Sequence, residues 1–385
     1  MMHSPRHTRA VVVGAGIVGA SAAFHLSRAG ADVIVLEGEA PAAGATGASD
    51  GAICVSTKRP GPMMAVARKA RAFYETLARE GTFSGLYHPR PNFLIARGDE
   101  EMELVARHTQ DLRDAGEDAK LLTARELHDL VPALGSSIAG GTLVHGDGHA
   151  LGYEITHRLL QLSGATVHRN RPALAIETRN GRATGVRTAE GVVEADRIVV
   201  AAGLECRSLL PIAALLPRKG QIIITDRLVA SGPALPGHII SASYLAAKRA
   251  VRLDKPHIGL VLDPLMTGQL LIGGSRETGN DDRRTDAEVI SAILREAIDL
   301  YPAVEHCLVI RTFAGIRTAT IDGLPIIGPF PALEGVIVAT GFEGDGICLG
   351  PLMGMAVAEL ALGRPPPLDL DMFSPARLDN GGVAA

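Results

Sequence analysis

The chain has 385 residues, more than one hydrophobic core usually contains, so we expect two domains. Hydrophobic residues make up 46% and charged residues 21%, which is typical of a globular protein and excludes a disordered one. A formal net charge of −4 gives no positive excess for binding nucleic acid or an anionic membrane, so the expected ligand is a small molecule.

Cysteine spacing and hydropathy exclude further classes. The four cysteines show no CxxC or zinc-ligand spacing, so we predict no disulfide framework, zinc site or iron–sulfur site in this chain. The N-terminal segment is polar, and no apolar run approaches the roughly 20 residues that span a bilayer. We therefore expect a cytoplasmic protein with no metal ion and no transmembrane segment.

The first predicted unit is a strand, a glycine turn, a helix and a second strand in residues 11–37, "VVVGAGIVGASAAFHLSRAGADVIVLE". Gly14 permits the turn, Gly16 lets a pyrophosphate approach the backbone, and Gly19 lets helix and strand pack closely. Glu37 ends the second strand, where a carboxylate can accept hydrogen bonds from both ribose hydroxyls of an adenosine. The residues predicted to bind this half of a dinucleotide are Gly14, Ala15, Gly16, Ile17, Val18, Gly19, Leu36, Glu37 and Gly38. NAD and FAD are both open here, because they share the ADP half.

Small residues dominate the next segment, 38–62, which is too rich in glycine for one uninterrupted helix. It contains "GASDG", which matches the G-x-S-x-G turn of serine hydrolases. That turn needs a buried strand before it, and the preceding "APAAGAT" is not one, so a hydrolase is the weaker alternative. We predict instead a loop that lies along a long cofactor and contacts it through Thr46, Ala48, Ser49 and Gly51.

Helices and strands alternate in the residues that follow. A helix is predicted for residues 63–80, a strand for "NFLIARG", an amphipathic helix for "DEEMELVARHTQDLRDAG" and a short helix for "TARELHDLVPAL". Residues 140–170 then predict strand, turn, helix and strand. His145 and His149 stand four apart, as zinc ligands on a helix do, but the glycines between them disfavour that helix.

A hairpin in "RATGVRTAEGVVEADRIVVAAG" leads into an apolar strand, residues 197–201, followed by Ala202 and Gly203. Such a strand belongs inside a parallel sheet, and its last residues lie at the edge where these sheets bind ligands. Residues 215–311 differ, because "QIIITDR", "HIGLVLD" and "QLLIGG" predict strands with hairpin-like connections. We expect a mixed sheet there, inserted between pieces of the nucleotide domain.

A second glycine turn lies near the C-terminus, where "GVIVATG" predicts a buried strand, "GFEGDG" the turn and residues 347–362 a helix. The N-terminus of that helix would present free amides and about half a positive charge. A nicotinamide cofactor has little use for such an end, whereas a flavin collects electron density at its N1–C2=O edge on reduction. The two glycine turns together indicate FAD.

In this order the motifs resemble the D-amino acid oxidase (DAO) superfamily of FAD enzymes over almost the full chain. The resemblance is carried by residues 11–37 and by "GATGASDGAI", "DRIVVAAG", "PRKGQIII", "RTATIDGLPIIG" and "ATGFEGDGICLGP". It implies an α/β (α+β) fold with a discontinuous Rossmann-like FAD-binding domain in residues 1–84, 141–214 and 313–385. An interleaved mixed-sheet substrate domain would occupy residues 85–140 and 215–312.

Within the superfamily, "RTATIDGLPIIG" and "GFEGDGI" are most similar to FAD subunits of heteromeric dehydrogenases. These include D-hydroxyproline and L-proline dehydrogenases, opine oxidases and hydrogen cyanide synthase. The resemblance implies oxidation of the C–N bond of a secondary or N-substituted amino acid by hydride transfer to flavin N5. It also implies partner subunits and an electron acceptor, with FMN or an iron–sulfur cluster on a partner expected by analogy alone. Such an electron-transfer chain would place the protein at the periphery of the inner membrane.

Two other activities are compatible with the same motifs. One is a free-standing amino acid or sarcosine-type oxidase that uses oxygen, and the other is a non-catalytic flavoprotein subunit of an assembly. Stoichiometry and oxygen reactivity separate the oxidase from the dehydrogenase subunit, and a flavin that no amine reduces would indicate the assembly subunit.

The chain departs from the family pattern at two positions. Relatives such as monomeric sarcosine oxidase attach the flavin through a cysteine just before the loop that matches "RTAT", where this chain has Gly315, so we expect non-covalent FAD. Several heteromeric relatives carry "GHEGDGI", whereas Phe342 replaces the histidine here, which puts a role for an imidazole in doubt.

Three side chains are the candidates for handling substrate. Arg317 is the candidate clamp for a carboxylate, because a guanidinium binds that group in a bidentate manner, and a structural ion pair is the alternative. Lys58 would lie near flavin or substrate, with a solvated surface lysine as the alternative. Tyr244 would close the pocket or bind substrate, with plain packing as the alternative.

The resemblance also implies the remaining contacts with FAD. Ser49 and Gly51 would face the pyrophosphate, the Ala173 backbone the adenine, Gly203 the ribityl or diphosphate region, and residues 344–347 the isoalloxazine edge. The full set in the second half of the chain is Ala173, Ala201, Ala202, Gly203, Gly315, Ile316, Arg317, Phe342, Glu343, Gly344, Asp345, Gly346 and Ile347.

Overall fold

A computed structural model of the chain describes residues 8–227, 235–249 and 256–378. Residues 1–7 and 379–385, which the predicted FAD-binding domain includes, lie outside these ranges. The α-helices of the described residues are α1 (Ile17–Arg28), α2 (Pro62–Arg79), α3 (Gly98–Asp114), α4 (Ala124–Leu130), α5 (Gly152–Ser163), α6 (Cys206–Leu209), α7 (Ala242–Arg249), α8 (Ala287–Leu300) and α9 (Gly346–Ala361).

The strands are mostly short, and the three longest, β14, β17 and β18, are neighbours in one sheet. In chain order they are β1 (Arg9–Val13), β2 (Asp32–Leu36), β3 (Ala52–Ile53), β4 (His88–Pro89), β5 (Asn92–Ala96), β6 (Ala119–Thr123), β7 (Gly140–Val144), β8 (Gly148–His149), β9 (Thr166–His168), β10 (Ala175–Arg179), β11 (Arg182–Thr188), β12 (Gly191–Glu194), β13 (Arg197–Val200), β14 (Leu215–Arg227), β15 (His238–Ser241), β16 (His257–Pro264), β17 (Gln269–Thr278), β18 (Val309–Thr320), β19 (Ile326–Pro329) and β20 (Val336–Thr340).

A six-stranded sheet in the order β19-β20-β13-β1-β2-β9 forms the first layer. All neighbouring pairs are parallel except β19 with β20, and β1 lies next to both β2 and β13. Strand β1 is buried from Ala10 to Val13, as expected for a strand that is covered on both faces. Helices α1, α5 and α9 contribute to the core cluster on one face of this sheet.

An eight-stranded sheet in the order β18-β14-β17-β16-β15-β5-β7-β6 forms the second layer. Its pairs are antiparallel except β15 with β5. Alternating side chains of β14 face opposite sides: Ile223 belongs to the apolar cluster that includes Ile293 of α8, whereas Ile222 lines a large cavity. The long strands of this sheet therefore form one wall of that cavity.

The architecture confirms the predicted mixed α/β fold, with a parallel sheet and a separate mixed sheet. Strands β7 and β18 run across the boundaries predicted at 140/141 and 312/313, because a continuous ladder joins each to its neighbours there. Those two boundaries fall inside strands, and the division into two domains stays a prediction.

Helix α9 is the most apolar long helix of the described residues. The segment Glu343–Ala361 is long and apolar enough to cross a membrane by length and composition, but 67% of that stretch is buried inside the protein. Its buried side chains, among them Leu349, Met353 and Val357, pack in the same core cluster as Ile17 of α1. The packing accounts for its hydropathy as that of a core helix.

Candidate active site

The carboxyl ends of the parallel strands open into a cavity of about 880 Å³. Val13, Leu36, Ala201 and Thr340 line it, and each belongs to or directly follows the end of a parallel strand. This is the edge where open α/β sheets bind ligands. The same cavity extends to residues of β14 and β18, so the two sheets share it.

The first glycine turn, at the start of α1, packs closely against neighbouring backbone. Gly14 has φ of 100°, and a Cβ there would lie 2.5 Å from the main-chain oxygen of Ala201. A Cβ at Gly19 would overlap the main-chain oxygen of Gly14. Gly19 thus lies in the helix–strand contact and does not line the cavity, as its predicted packing role requires.

The N-terminus of α1 presents backbone N–H groups to the cavity. Gly16 is the N-cap and supplies no side chain, and the Ile17 N–H donates to Oγ1 of Thr46 at 3.1 Å. The amides of the first turn are the groups that bind a phosphate at a helix N-terminus. Gly16, Ile17, Val18 and Thr46 all line the cavity.

Glu37 lies at the end of β2 and holds the turn. Its Oε2 accepts a hydrogen bond from the Ala15 N–H at 2.7 Å, and its Oε1 accepts one from the Glu39 N–H at 2.9 Å. The carboxylate lines the cavity, as do Leu36 and Gly38, whereas Ala15 does not. Its position suits the predicted contact with a ribose.

The loop of residues 38–51 covers one side of the cavity and ends at a buried glycine. Thr46, Ala48 and Ser49 line the cavity, and the Ser49 hydroxyl donates to the Thr46 main-chain oxygen at 2.8 Å. Gly51 lies behind the loop, where a Cβ would be 2.6 Å from Nε2 of His149. Gly51 is therefore a packing position in this structure, not a cavity-lining one.

Other predicted contacts line the same space from neighbouring strands and loops. They are Ala173, Ala201, Ala202, Gly203, Gly315, Ile316, Arg317, Phe342, Glu343, Gly344, Gly346, Ile347 and Tyr244. The cavity has room for a long two-ended ligand, and both glycine turns border it. These features fit FAD, and the placement of its pyrophosphate at α1 and its ring near α9 stays a prediction.

The second glycine turn leads directly into α9. Residues Glu343–Asp345 form a turn of 3₁₀ helix, and α9 begins at Gly346 with no side-chain cap. Glu343 has φ of 47°, a left-handed conformation that is unusual for a residue with a side chain. This backbone directs the Glu343 carboxylate to Arg276 at 2.8 Å and to Arg218 at 3.4 Å.

The charge of Glu343 is held by the arginines around it. Burial alone would raise its pKa, but Arg276, Arg317 and Arg218 outweigh burial and lower the pKa to about 2. Arg317 donates from Nη1 to the Ser275 main-chain oxygen at 3.2 Å. It forms no ion pair with a carboxylate of the described residues, so its guanidinium charge is not neutralised by a direct partner.

Lys58 is neither on the surface nor in the cavity wall. Only 5% of its side chain is exposed, and its Nζ lies 2.7 Å from Oδ1 of Asp345, which Lys248 also contacts at 3.1 Å. Burial lowers the pKa of Lys58, but the charge of Asp345 raises it by more than burial lowers it. The pKa of Lys58 is therefore above its usual value. Lys58 and Asp345 thus pair with each other behind the turn, and a direct contact with substrate stays a prediction.

Tyr244 and Gly315 line the cavity from α7 and β18. Tyr244 lies on α7 and is half-buried, and burial raises the pKa of its hydroxyl to about 12. A Cβ at Gly315 would lie 2.5 Å from Cβ of Ala48, so this position accepts no side chain without a shift.

Some lining residues escaped the sequence analysis. Ile222, Arg311, Phe313 and Asp50 all line the cavity. Two of them could have been predicted from the sequence. Arg311 and Phe313 precede Arg317 by even numbers of residues, so in a strand their side chains lie on the same face as that of Arg317. Ile222 and Asp50 depend on pairing between distant segments.

Comparison with known proteins identifies the family. The profile of the DAO family, described as FAD dependent oxidoreductase, matches residues 9–360. The chain is 27% identical to glycine oxidase of Geobacillus kaustophilus over 95% of its length and 96% of the relative's. It is 26% identical to one of the subunits of opine oxidase from Agrobacterium tumefaciens, over 82% and 83% of the two chains.

Solved structures agree with the sequence relatives. A crystal structure of glycine oxidase from Geobacillus kaustophilus matches with a TM-score of 0.85 and 26% identity, covering 95% of this chain and 98% of that one. Iminodiacetate oxidase from Chelativorans sp. BNC1 matches with a TM-score of 0.79 and 25% identity, covering 95% and 99%. With two glycine turns bordering one cavity and a family profile spanning nearly the whole length, the chain belongs to the DAO family of FAD-dependent oxidoreductases.

Proposed function

We propose that this oxidoreductase oxidises the C–N bond of a secondary or N-substituted amino acid, and that Arg317 binds the substrate carboxylate. The observation that carries the proposal is the Arg317 guanidinium, which lines the cavity and forms no ion pair with a carboxylate of the described residues. A bidentate guanidinium–carboxylate contact would both bind and orient an amino acid. Relatives named for glycine, opines and iminodiacetate support the substrate class, since all these compounds carry a carboxylate beside a C–N bond.

The chain's own residues would mainly position the substrate. FAD, when bound, supplies the oxidant that accepts a hydride from the carbon beside the nitrogen. Arg317 would hold the carboxylate, while Ile222 and Phe313, which line the cavity, would supply apolar surface beside the reacting carbon. Tyr244 would close this end of the cavity. Alignment of this kind lowers the barrier by about 7–11 kcal/mol in well-oriented reactions.

Substitution of Arg317 tests the carboxylate clamp. We expect Arg317→Met to keep bound FAD, because the glycine turns that border the cavity are unchanged, but to slow flavin bleaching by substrate about 100-fold. Arg317→Lys keeps the charge but loses the planar guanidinium, so we expect it to slow flavin bleaching about tenfold. The measurement is anaerobic stopped-flow absorbance with proline, the hydroxyproline isomers, sarcosine, an opine and iminodiacetate.

An exposed arginine outside the cavity provides the control. Arg125 of α4 is exposed, and Arg125→Lys should bleach at the wild-type rate. Bleaching of Arg317→Met at the wild-type rate under low substrate would remove Arg317 from the site. A flavin that none of these amines reduces in the wild type would instead indicate a non-catalytic flavoprotein.

We also propose that the protein is the FAD subunit of a heteromeric dehydrogenase. The relative named as one of the subunits of opine oxidase supports the presence of partner subunits, and FMN or an iron–sulfur cluster on such a partner follows by analogy. A membrane-peripheral location would follow from the partner and its electron acceptor.

The acceptor is tested by following reoxidation of the reduced flavin. A dehydrogenase subunit should pass electrons to an artificial dye faster than to oxygen. Reoxidation by dissolved oxygen at a rate equal to or above that with dye, with stoichiometric peroxide, would favour the free-standing oxidase. The similarity to a relative named glycine oxidase supports this second activity.

A further inference from the structure

The face of β18 that lines the cavity carries two arginines. Strand β18 pairs with β14 in regular register from Arg311, opposite Ile224, to Arg317, opposite Arg218. No bulge interrupts this stretch, so Arg311, Phe313, Gly315 and Arg317 share one face. All four residues line the cavity.

The two guanidinium groups lean toward each other along that face. The Arg317 guanidinium lies beside Gly220, which is directly opposite Gly315 in the ladder. The Arg311 guanidinium lies over the ring of Phe313, with Cζ 5.2 Å from the ring centroid. Because a strand rises roughly 3.3 Å per residue, positions 313 and 315 are about 7 Å apart along β18. The side chains therefore bring two cationic groups over adjacent positions of one face.

Ion pairing distinguishes these two arginines from the others in the cavity wall. Arg207 and Arg283 each face a carboxylate, at 3.6 Å and 3.0 Å respectively. In the described parts of the chain, neither Arg311 nor Arg317 has such an ion pair. The substrate end of the cavity thus presents two guanidinium charges that remain available to a ligand.

We propose that Arg311 forms a second carboxylate subsite, so that the preferred substrate is an N-substituted amino acid carrying a carboxylate at each end. This proposal rests on the function proposed above, in which Arg317 holds the first carboxylate. The reacting C–N bond would then lie beside Phe313, between the two guanidinium groups. A cyclic amino acid with one carboxylate would leave Arg311 without a partner.

The test compares two substrates of equal shape and different charge. N-carboxyethylglycine carries a second carboxylate, and N-carbamoylethylglycine replaces it with a neutral amide. We expect the wild type to prefer the dicarboxylate by about fivefold in kcat/KM, chiefly through KM, since an exposed ion pair contributes equally to ground state and transition state. Arg311→Met should remove the preference, and Arg311→Glu should reverse it in favour of N-aminopropylglycine.

Matched controls separate this proposal from the function on which it rests. Arg295 of α8 is exposed and outside the cavity, and Arg295→Met should keep the wild-type preference. Thioether analogues, with sulfur in place of the amine nitrogen, report binding by calorimetry without turnover. Weaker binding of the dicarboxylate thioether to Arg311→Met, with the amide thioether unchanged, supports the subsite.

Two results would overturn the proposal in different ways. Equal kcat/KM for the two glycine derivatives in wild type and Arg311→Met would overturn the second subsite and leave the proposed oxidation intact. Failure of both derivatives, and of proline, the hydroxyproline isomers, sarcosine, an opine and iminodiacetate, to bleach the wild-type flavin, together with failure of both thioethers to bind, would overturn the subsite and the amino acid oxidation together.

Discussion

At the scale of single residues, buried His25 makes the stability of the folded protein depend on pH. Its ring lies between Phe24 and Phe73, with centroids 5.0 Å and 6.0 Å away, and Nε2 is buried without a hydrogen-bond partner. Burial, and secondarily the charge of Arg28, lower its pKa from 6.5 to about 4. The imidazole is therefore neutral in the folded protein over a range where it is protonated in the unfolded chain.

This difference predicts the direction of a pH effect on stability. As pH falls below 6.5, the unfolded chain binds a proton at His25 before the folded protein does, so the free energy of unfolding decreases until about pH 4. Between pH 7 and pH 5 we expect the titration of His25 to lower the free energy of unfolding by roughly 2 kcal/mol. His25→Leu should lose this part of the slope in urea unfolding at the two pH values. An identical slope in wild type and variant would contradict the assignment.

Glu343 has a strained backbone conformation that its neighbours compensate. A left-handed conformation at a residue with a side chain costs about 1 kcal/mol or more. The ion pairs with Arg276 and Arg218 offset that cost, because the turn aims the carboxylate at both. The same arginines and Arg317 depress the pKa of Glu343 to about 2, so the carboxylate is ionised at neutral pH.

At the scale of elements, the packing of α1 against α9 links the two ends of the cofactor site. Gly350 and Gly354 lie one turn apart on α9 and face Ile17 and Ser21 of α1. The Ser21 hydroxyl donates to the Pro351 main-chain oxygen at 2.7 Å. These small residues let the helices approach closely, so their N-termini open onto the same cavity.

Adding a methyl group at these glycines should separate the helices. A Cβ at Gly354 would lie 2.7 Å from the main-chain oxygen of Val18, whereas a Cβ at Gly350 would meet only the Ile17 side chain, also at 2.7 Å. Since backbone cannot rotate away, we expect Gly354→Ala to destabilise by about 1–3 kcal/mol and Gly350→Ala by less. Thermal unfolding of the apoprotein and the dissociation constant of FAD measure the effect. The reverse order of the two variants would show that the helix contact is not the cause.

At the scale of the whole molecule, a buried polar cluster joins the sheet containing β8 to the eight-stranded sheet. Asp263 of β16 is fully buried, with Oδ1 3.0 Å from Nη1 of Arg90 and Oδ2 3.0 Å from Nε2 of His149. Nε2 of His149 also lies 3.0 Å from the Asp50 main-chain oxygen, so the cluster reaches the loop beside the cavity. Burial raises the pKa of Asp263, but His238, His149 and Arg90 outweigh burial and lower it.

Removing one charge from this cluster should cost more than removing both. Asp263→Asn leaves the buried Arg90 guanidinium without a carboxylate, and we expect a loss of about 3–5 kcal/mol in the free energy of unfolding. Arg90→Met combined with Asp263→Leu removes both charges and should recover much of that loss. Chemical denaturation of Arg90→Met, of Asp263→Leu and of the double variant measures the coupling. Strictly additive losses would mean that the two side chains do not act as a pair.

Local patterns were enough to predict much of the fold. The glycine turn of residues 14–19, the buried strand β13 and the helix after the second glycine turn follow from hydropathy and glycine spacing over short windows. Helix α7 and strand β15 were missed, because "HIIS" and "ASYLAAKR" are short and their state depends on pairing with β5 and β16. The position of Lys58 was also beyond local reasoning, since its partner Asp345 is 287 residues away.

The sequence by itself determined the family, the cofactor and the two glycine turns, because each rests on contacts between residues close in the chain or on ordered motifs. Only the tertiary structure decided which charges remain available in the cavity. Arg207, Arg283 and Lys58 each form an ion pair with a carboxylate from a distant segment, whereas Arg311 and Arg317 form none within the described residues. Ion pairing depends on distances of a few ångströms between remote segments, and local sequence carries no record of those distances.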